Sequence, residues 1–229
     1  MREKAMATAL RMAGTSLLGL AAFGLLLFVP AGTLRYWQAW VFIAVFTICT
    51  LVPSIYLLVK DPAALQRRMH AGPAAETRTT QKIVIASAFL LVPAVMVSSA
   101  FDHRFGWSPV PTAVSLIGQA LVAIGLGITQ YAIMQNRYAA ATITVESGQK
   151  VVSSGLYSLV RHPMYVGNLI MMVGIPLALG SYWGLLILDP GVVLLAVRIL
   201  DEERALAQEL AGYRDYMQKV HYRLVPHIW

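Results

Sequence analysis

Residues 164–200 read MYVGNLIMMVGIPLALGSYWGLLILDPGVVLLAVRIL, an apolar run too long for one membrane crossing. Crossing roughly 30 Å of hydrocarbon takes about 20 apolar residues at about 1.5 Å of rise each. Gly180, Ser181 and Gly184 break the run near its middle with turn chemistry. The stretch therefore predicts two antiparallel helices of about 17 residues each, joined by a tight turn. Outward from it, four windows (Met12 to Val29, Tyr36 to Val59, Ile83 to Ala100 and Thr112 to Met134) hold no Asp, Glu, Lys or Arg. Each predicts a spanning helix. The expected fold class is all-α: a polytopic membrane protein with six transmembrane helices, or five and a re-entrant hairpin, the last two helices forming a helical hairpin. The first segment is too long an apolar run for a cleavable signal.

Composition agrees, because 58% hydrophobic and 13% charged residues do not suit a soluble surface. Lys and Arg are retained on the cytoplasmic side of a membrane protein. With the N-terminus placed inside, only Arg35 and Arg104 of the 18 basic residues fall outside. Both termini are thus expected in the cytoplasm. The net charge of +7 needs no nucleic-acid partner, since basic loops beside anionic lipid account for it. Cys49, the single cysteine, can form no disulfide within the chain and belongs to no thiol cluster for a metal, so it reads as packing.

Residues 1–135 read as scaffold helices and 136–229 as the catalytic region with its hairpin and C-terminal tail. In the scaffold, Thr15 and Gly19 are a small-x-x-x-small pair that predicts a close helix approach. Arg35, Tyr36, Trp37 and Trp40 read as an interfacial belt. Asp61-Pro62 predicts a helix start and Gly72-Pro73 its end, around Arg67, Arg68 and His70, which read as a solvated basic loop or a lipid-headgroup contact. Thr142 to Val145 and Lys150 to Val152 predict a small hairpin or an ordered loop.

Two polar clusters flank the apolar run. GLYSLVRHPMYVG (155–167) enters it and RILDEER (198–204) leaves it, so antiparallel geometry brings both to the cytoplasmic mouth of one helix pair. Pro163 suits a first helical turn and holds His162 extended just outside it. His162 and Tyr165 are then presented at a helix N-terminus, where free backbone N–H groups favour an anion. On the second helix Asp201 and Glu202 share the face of Arg198, while Glu203 turns away. No Gly-x-Gly-x-x-Gly or Walker loop occurs. S-adenosylmethionine suits such a mouth, because its ribose diol wants a carboxylate, its own carboxylate a cation or helix N-terminus, and its adenine a flat apolar neighbour. Asp189, before Pro190 in the second helix, has two readings: a polar group near an acceptor tunnel, or a displaced side chain towards a helix end.

Arg161-His-Pro-Met-Tyr-Val-Gly167, then Glu202-Glu203-x-x-Leu206, then Gly212-Tyr213-x-x-Tyr216, resemble the isoprenylcysteine carboxyl methyltransferase family. That family belongs to a wider group of membrane methyltransferases with phospholipid and small-thiol methylating members. The likeness covers about Thr142 to Trp229. It implies a C-terminal cytoplasmic pocket for S-adenosylmethionine and a lipophilic acceptor, such as an isoprenylcysteine carboxylate, entering from the bilayer. By position it implies cofactor binding by Tyr157, His162, Tyr165, Gly167, Glu202 and Glu203, catalytic roles for Arg198, Glu202 and Arg161, and no metal. Tyr222-Arg-Leu-Val-Pro226 is closer to the ending of membrane sterol reductases, which share Arg-His-Pro-x-Tyr and use NADPH. A reductase, or a non-catalytic membrane scaffold, is the alternative.

Overall fold

A computed structural model of the chain describes residues 2–61, 65, 78–136, 138 and 148–229. It is all-helical: α1 (Arg2–Ala31), α2 (Trp37–Lys60), α3 (Thr79–Phe105), α4 (Thr112–Gln135), a 3-10 turn (Gly155–Ser158), α5 (Pro163–Ala178), the short α6 (Trp183–Leu186), α7 (Asp189–Glu209) and α8 (Tyr213–Lys219). No strand occurs among the described residues. Among the described residues, five stretches are long and apolar enough to cross a membrane: Thr8–Ala31, Trp37–Lys60, Thr79–Phe105, Thr112–Gln135 and Trp183–Glu209. α5 is apolar but only 16 residues long. The segment read as a basic loop around Arg67, Arg68 and His70, and the piece Thr142 to Val145, lie outside the described residues. Lys150 to Val152 is irregular chain.

The closest packing lies between α4 and α5. A Cβ on Gly118 would land on the backbone of Ala178, one on Gly125 on Gly167 and Met171, and one on Gly174 on Val122. Glycines on both helices let the backbones approach where hydrocarbon supplies no hydrophobic drive. The expectation of such an approach at Thr15 and Gly19 is corrected. Among the described residues no neighbouring helix comes within 4 Å of where a Cβ of Gly19 would be, and the Thr15 hydroxyl donates to its own helix at Arg11 O and Met12 O.

The hairpin turn is pinned at the bundle end away from the polar clusters. Gly180 takes φ +74°, the Ser181 hydroxyl donates to buried Asp102 at 2.6 Å, and Tyr36 donates to Leu179 O at 2.6 Å. Tyr36 is therefore a wholly buried strut, whereas Trp37 and Trp40 are exposed as a belt requires. The returning leg runs antiparallel along α3: Gly184 meets Ser99, Gly191 meets Leu91, and Arg198 and Asp201 reach Gln81. The two legs meet through Tyr165, Leu169, Leu195 and Ile199. Asp189 and Pro190 occupy the first turn of α7, so Pro190 sacrifices no helical hydrogen bond and does not kink the helix. Asp189 is exposed and does not line the cleft described below.

Candidate functional site

Consecutive helical residues point about 100° apart, and Asp201, Glu202 and Glu203 fan out from α7 accordingly. Asp201 faces α3, accepting from Gln81 Nε2 at 2.6 Å and pairing with Arg78 at 3.3 Å. Glu202 faces α5, where its Oε2 accepts from the Tyr165 hydroxyl at 2.6 Å. Glu203 faces the C-terminal tail and is buried. Its Oε1 accepts from Arg161 Nε at 2.6 Å and lies 3.2 Å from His162 Nε2, while Oε2 accepts from Arg223 Nε at 2.9 Å. A carboxylate only accepts, so His162 carries its proton on Nε2.

Arg161 is spent within the same knot, donating through Nη1 to Val220 O and His221 O. The N–H groups of Arg161 and His162 donate to Tyr222 O and Arg223 O, and that of Tyr165 to His162 O. Those amides at the mouth of α5 are therefore filled by protein rather than open to an anion. Pro163 begins α5 with His162 as its N-cap, as the sequence predicts.

Arg198 is buried and bridges two helices. Its Nε donates to the Tyr165 hydroxyl at 2.7 Å and its Nη1 to Gln81 Oε1 at 2.7 Å. Arg198 and Glu202 thus communicate through Tyr165, which accepts from one and donates to the other.

Beside this chain lies a cleft open to solvent, with a cavity volume of about 80 Å3. Its floor carries Tyr157, Arg161, His162, Tyr165 and Glu202; Leu206, Leu210, Tyr213 and Tyr216, with Val151 packed against them, and Asn136, Tyr138, Gln149, Lys150 and Val152 complete the lining. Tyr157 is placed by α4: Gln135 Oε1 accepts from Leu156 N at 3.0 Å, and Gly155, at φ +61°, lies so close to the Gln135 amide that a side chain would collide with it. The Tyr216 hydroxyl donates to Tyr157 O at 2.7 Å. Burial, with the neighbouring Glu202 charge and against an Asn136 hydrogen bond, pushes the Tyr157 phenol up to about 12. Burial also raises Tyr213, aided by Glu203 and Glu202, and Tyr216, aided by Tyr157.

Of the residues expected in the site, Tyr157, Arg161, His162, Tyr165 and Glu202 line the cleft together. Glu203 and Arg198 stand behind it, the first in the Arg161 knot and the second under Tyr165. Gly167 lies in the α4–α5 contact against Thr129 and Gly125, away from the cleft. Sequence reasoning missed Gln81 and Arg223. Gln81 carries no local signal, since its partners Arg198 and Asp201 are over a hundred positions away and only the register of α7 on α3 joins them. Arg223 follows Tyr222 in the tail motif, which marked the segment but not its contact with Glu203.

This constellation falls almost wholly inside a recognisable stretch. Residues 114–212 match the phospholipid methyltransferase family. The match takes in α4, the cleft floor, the hairpin and the Glu202-Glu203 pair, and agrees with the wider membrane methyltransferase group to which the motifs point. The chain is also similar to the Delta(14)-sterol reductase TM7SF2 of Mus musculus, 30% identical over 93 residues, which cover 38% of this chain and 22% of that protein. The matched stretch is thus a minor part of that relative's length.

Proposed function

We propose that the chain is an integral membrane methyltransferase that uses S-adenosylmethionine and methylates a lipophilic acceptor entering from the bilayer, such as an isoprenylcysteine carboxylate. The observation that carries this reading is Glu202. It lines the cleft within the family-matched stretch, and its Oε1 has no partner among the described residues. A carboxylate oxygen left open beside aromatic walls is what a ribose diol needs. Lys150 lines the same cleft without a partner among the described residues and can pair with the cofactor's carboxylate. Leu206, Leu210 and Tyr213 supply flat and apolar surface for adenine. S-adenosylmethionine, when bound, supplies a methyl group on a positively charged sulfonium. Glu202 and the tyrosine rings make the cleft favourable to that charge, and the protein's remaining task is to orient the donor and exclude water.

The sterol reductase likeness supports a second reading, an NADPH-dependent reductase. The cleft's charge disfavours it: a polyphosphate ligand needs several free cations, whereas Arg161 is committed to Glu203 and two carbonyls, leaving Lys150 among the described lining residues. Orientation with both termini and the cleft in the cytoplasm rests on the placement of basic residues. Titration calorimetry of the purified protein against S-adenosylhomocysteine and NADPH separates the readings. Binding of S-adenosylhomocysteine is expected; binding of NADPH alone overturns the methyltransferase. Methyl-label transfer into membrane extracts then identifies the acceptor.

A further inference from the structure

Gln81 lies in the first turn of α3, ahead of the family-matched stretch and outside the cleft lining. It is fully buried at 0% exposure. Its two amide atoms are assigned by their partners. A guanidinium has no acceptor, so Oε1 must face Arg198 Nη1, at 2.7 Å; a carboxylate has no donor, so Nε2 must face Asp201 Oδ2, at 2.6 Å. Nε2 also reaches Arg198 O at 3.4 Å, so one side chain grips Arg198 at both backbone and head.

Held in this way, Arg198 turns its Nε to the Tyr165 oxygen at 2.7 Å. Tyr165 has one proton, and with Arg198 donating to its oxygen that proton goes to Glu202 Oε2 at 2.6 Å. The hydrogen bonds therefore run one way, from Arg198 through Tyr165 to Glu202, and leave Glu202 Oε1 as the acceptor towards the cleft. We propose that Gln81 is a positioning residue for the cofactor site, fixing Arg198 so that Tyr165 donates to Glu202 and Glu202 presents its second oxygen to the ligand. The proposal rests on the S-adenosylmethionine reading. It extends the site to α3, a helix that carries none of the recognised motif.

Two variants separate positioning from packing, because the two roles rank them oppositely. Gln81→Met keeps size and burial but removes both polar contacts; Gln81→Glu keeps the acceptor for Arg198 while turning a second carboxylate towards Asp201. A positioning role makes Gln81→Met weaken S-adenosylhomocysteine binding about tenfold, the loss of one hydrogen bond to a charged group, with a raised cofactor KM and little change in kcat, and it makes Gln81→Glu bind close to the parent. A packing role makes Gln81→Met harmless and Gln81→Glu the damaging change. The measurement is calorimetry on the full chain in detergent, with thermal unfolding alongside. Absence of binding by the parent sinks the methyltransferase reading instead. Parent-like binding by Gln81→Met overturns the positioning role. If that variant does not insert, Gln81→Asn, too short to span Arg198 and Asp201, replaces it, and parent-like binding by Gln81→Asn overturns the proposal equally.

Discussion

One step along α7 separates two carboxylates with different work. Glu202 touches Tyr165 and the cleft, while Glu203 is closed in by Arg161, His162 and Arg223. Glu202→Gln is therefore expected to leave thermal stability unchanged. It should weaken S-adenosylhomocysteine by roughly ten- to a hundredfold, the worth of a charge-assisted acceptor at about 1.5 to 3 kcal/mol. Glu203→Ala should do the reverse in kind. It strands the buried Arg161 charge, at a cost of about 3 to 5 kcal/mol, and should show first as a lowered unfolding temperature. Equal unfolding temperatures for the two variants would contradict this division. The sequence placed the Glu pair at the hairpin mouth and turned Glu203 away from Arg198, both of which the structure bears out. It could not say what Glu203 turns towards, because a chain segment twenty positions on closes that side.

Among elements, glycine spacing is legible but its partner is not. A small-x-x-x-small pair on α1 and glycines on α4 and α5 look alike in sequence; among the described residues only the second set meets another backbone. Gly125→Leu should thus overpack the α4–α5 contact, costing about 1 to 3 kcal/mol or preventing insertion, whereas Gly19→Leu should be tolerated; detergent unfolding curves compare them. The hairpin itself was readable from its apolar length and its turn residues. The division of its legs between α4 and α3 was not, since helix pairing depends on contacts that no local period encodes. A second expectation concerns the 3-10 turn and α8, which bury Tyr157, Tyr213 and Tyr216 together. Their raised pKa values mean that the folded state holds these protons more tightly than the unfolded chain. Their contribution is complete below the unfolded value of about 10 and declines as pH rises from there towards about 12 for Tyr157. Thermal unfolding should be insensitive to these groups at neutral pH and fall through that window, and Tyr157→Phe should flatten part of the fall.

At the scale of the molecule, two features mark the ends of the bundle. Exposed Trp37, Trp40, Trp107 and Trp183 gather where α2 begins, α3 ends and the hairpin turns, while the cleft lies at the opposite end with α8 and the tail. Indole rings favour the membrane interface, and basic residues the cytoplasmic side. Of the 18 Lys and Arg, Arg35 and Arg104 sit at the tryptophan end. That asymmetry predicts an orientation that labelling can read, and Cys49 is the only thiol to remove first. In a Cys49→Ala background, Pro109→Cys places a thiol in the exposed loop at the tryptophan end, whereas Ser153→Cys and Gln208→Cys place thiols in exposed positions near the cleft. A membrane-impermeant maleimide added to intact cells should modify only Pro109→Cys, and permeabilisation should open the other two. The reverse pattern would turn the cleft away from the cytosol, where S-adenosylmethionine is made and held. The proposed chemistry would then lose its donor even if every contact in the cleft stood as described.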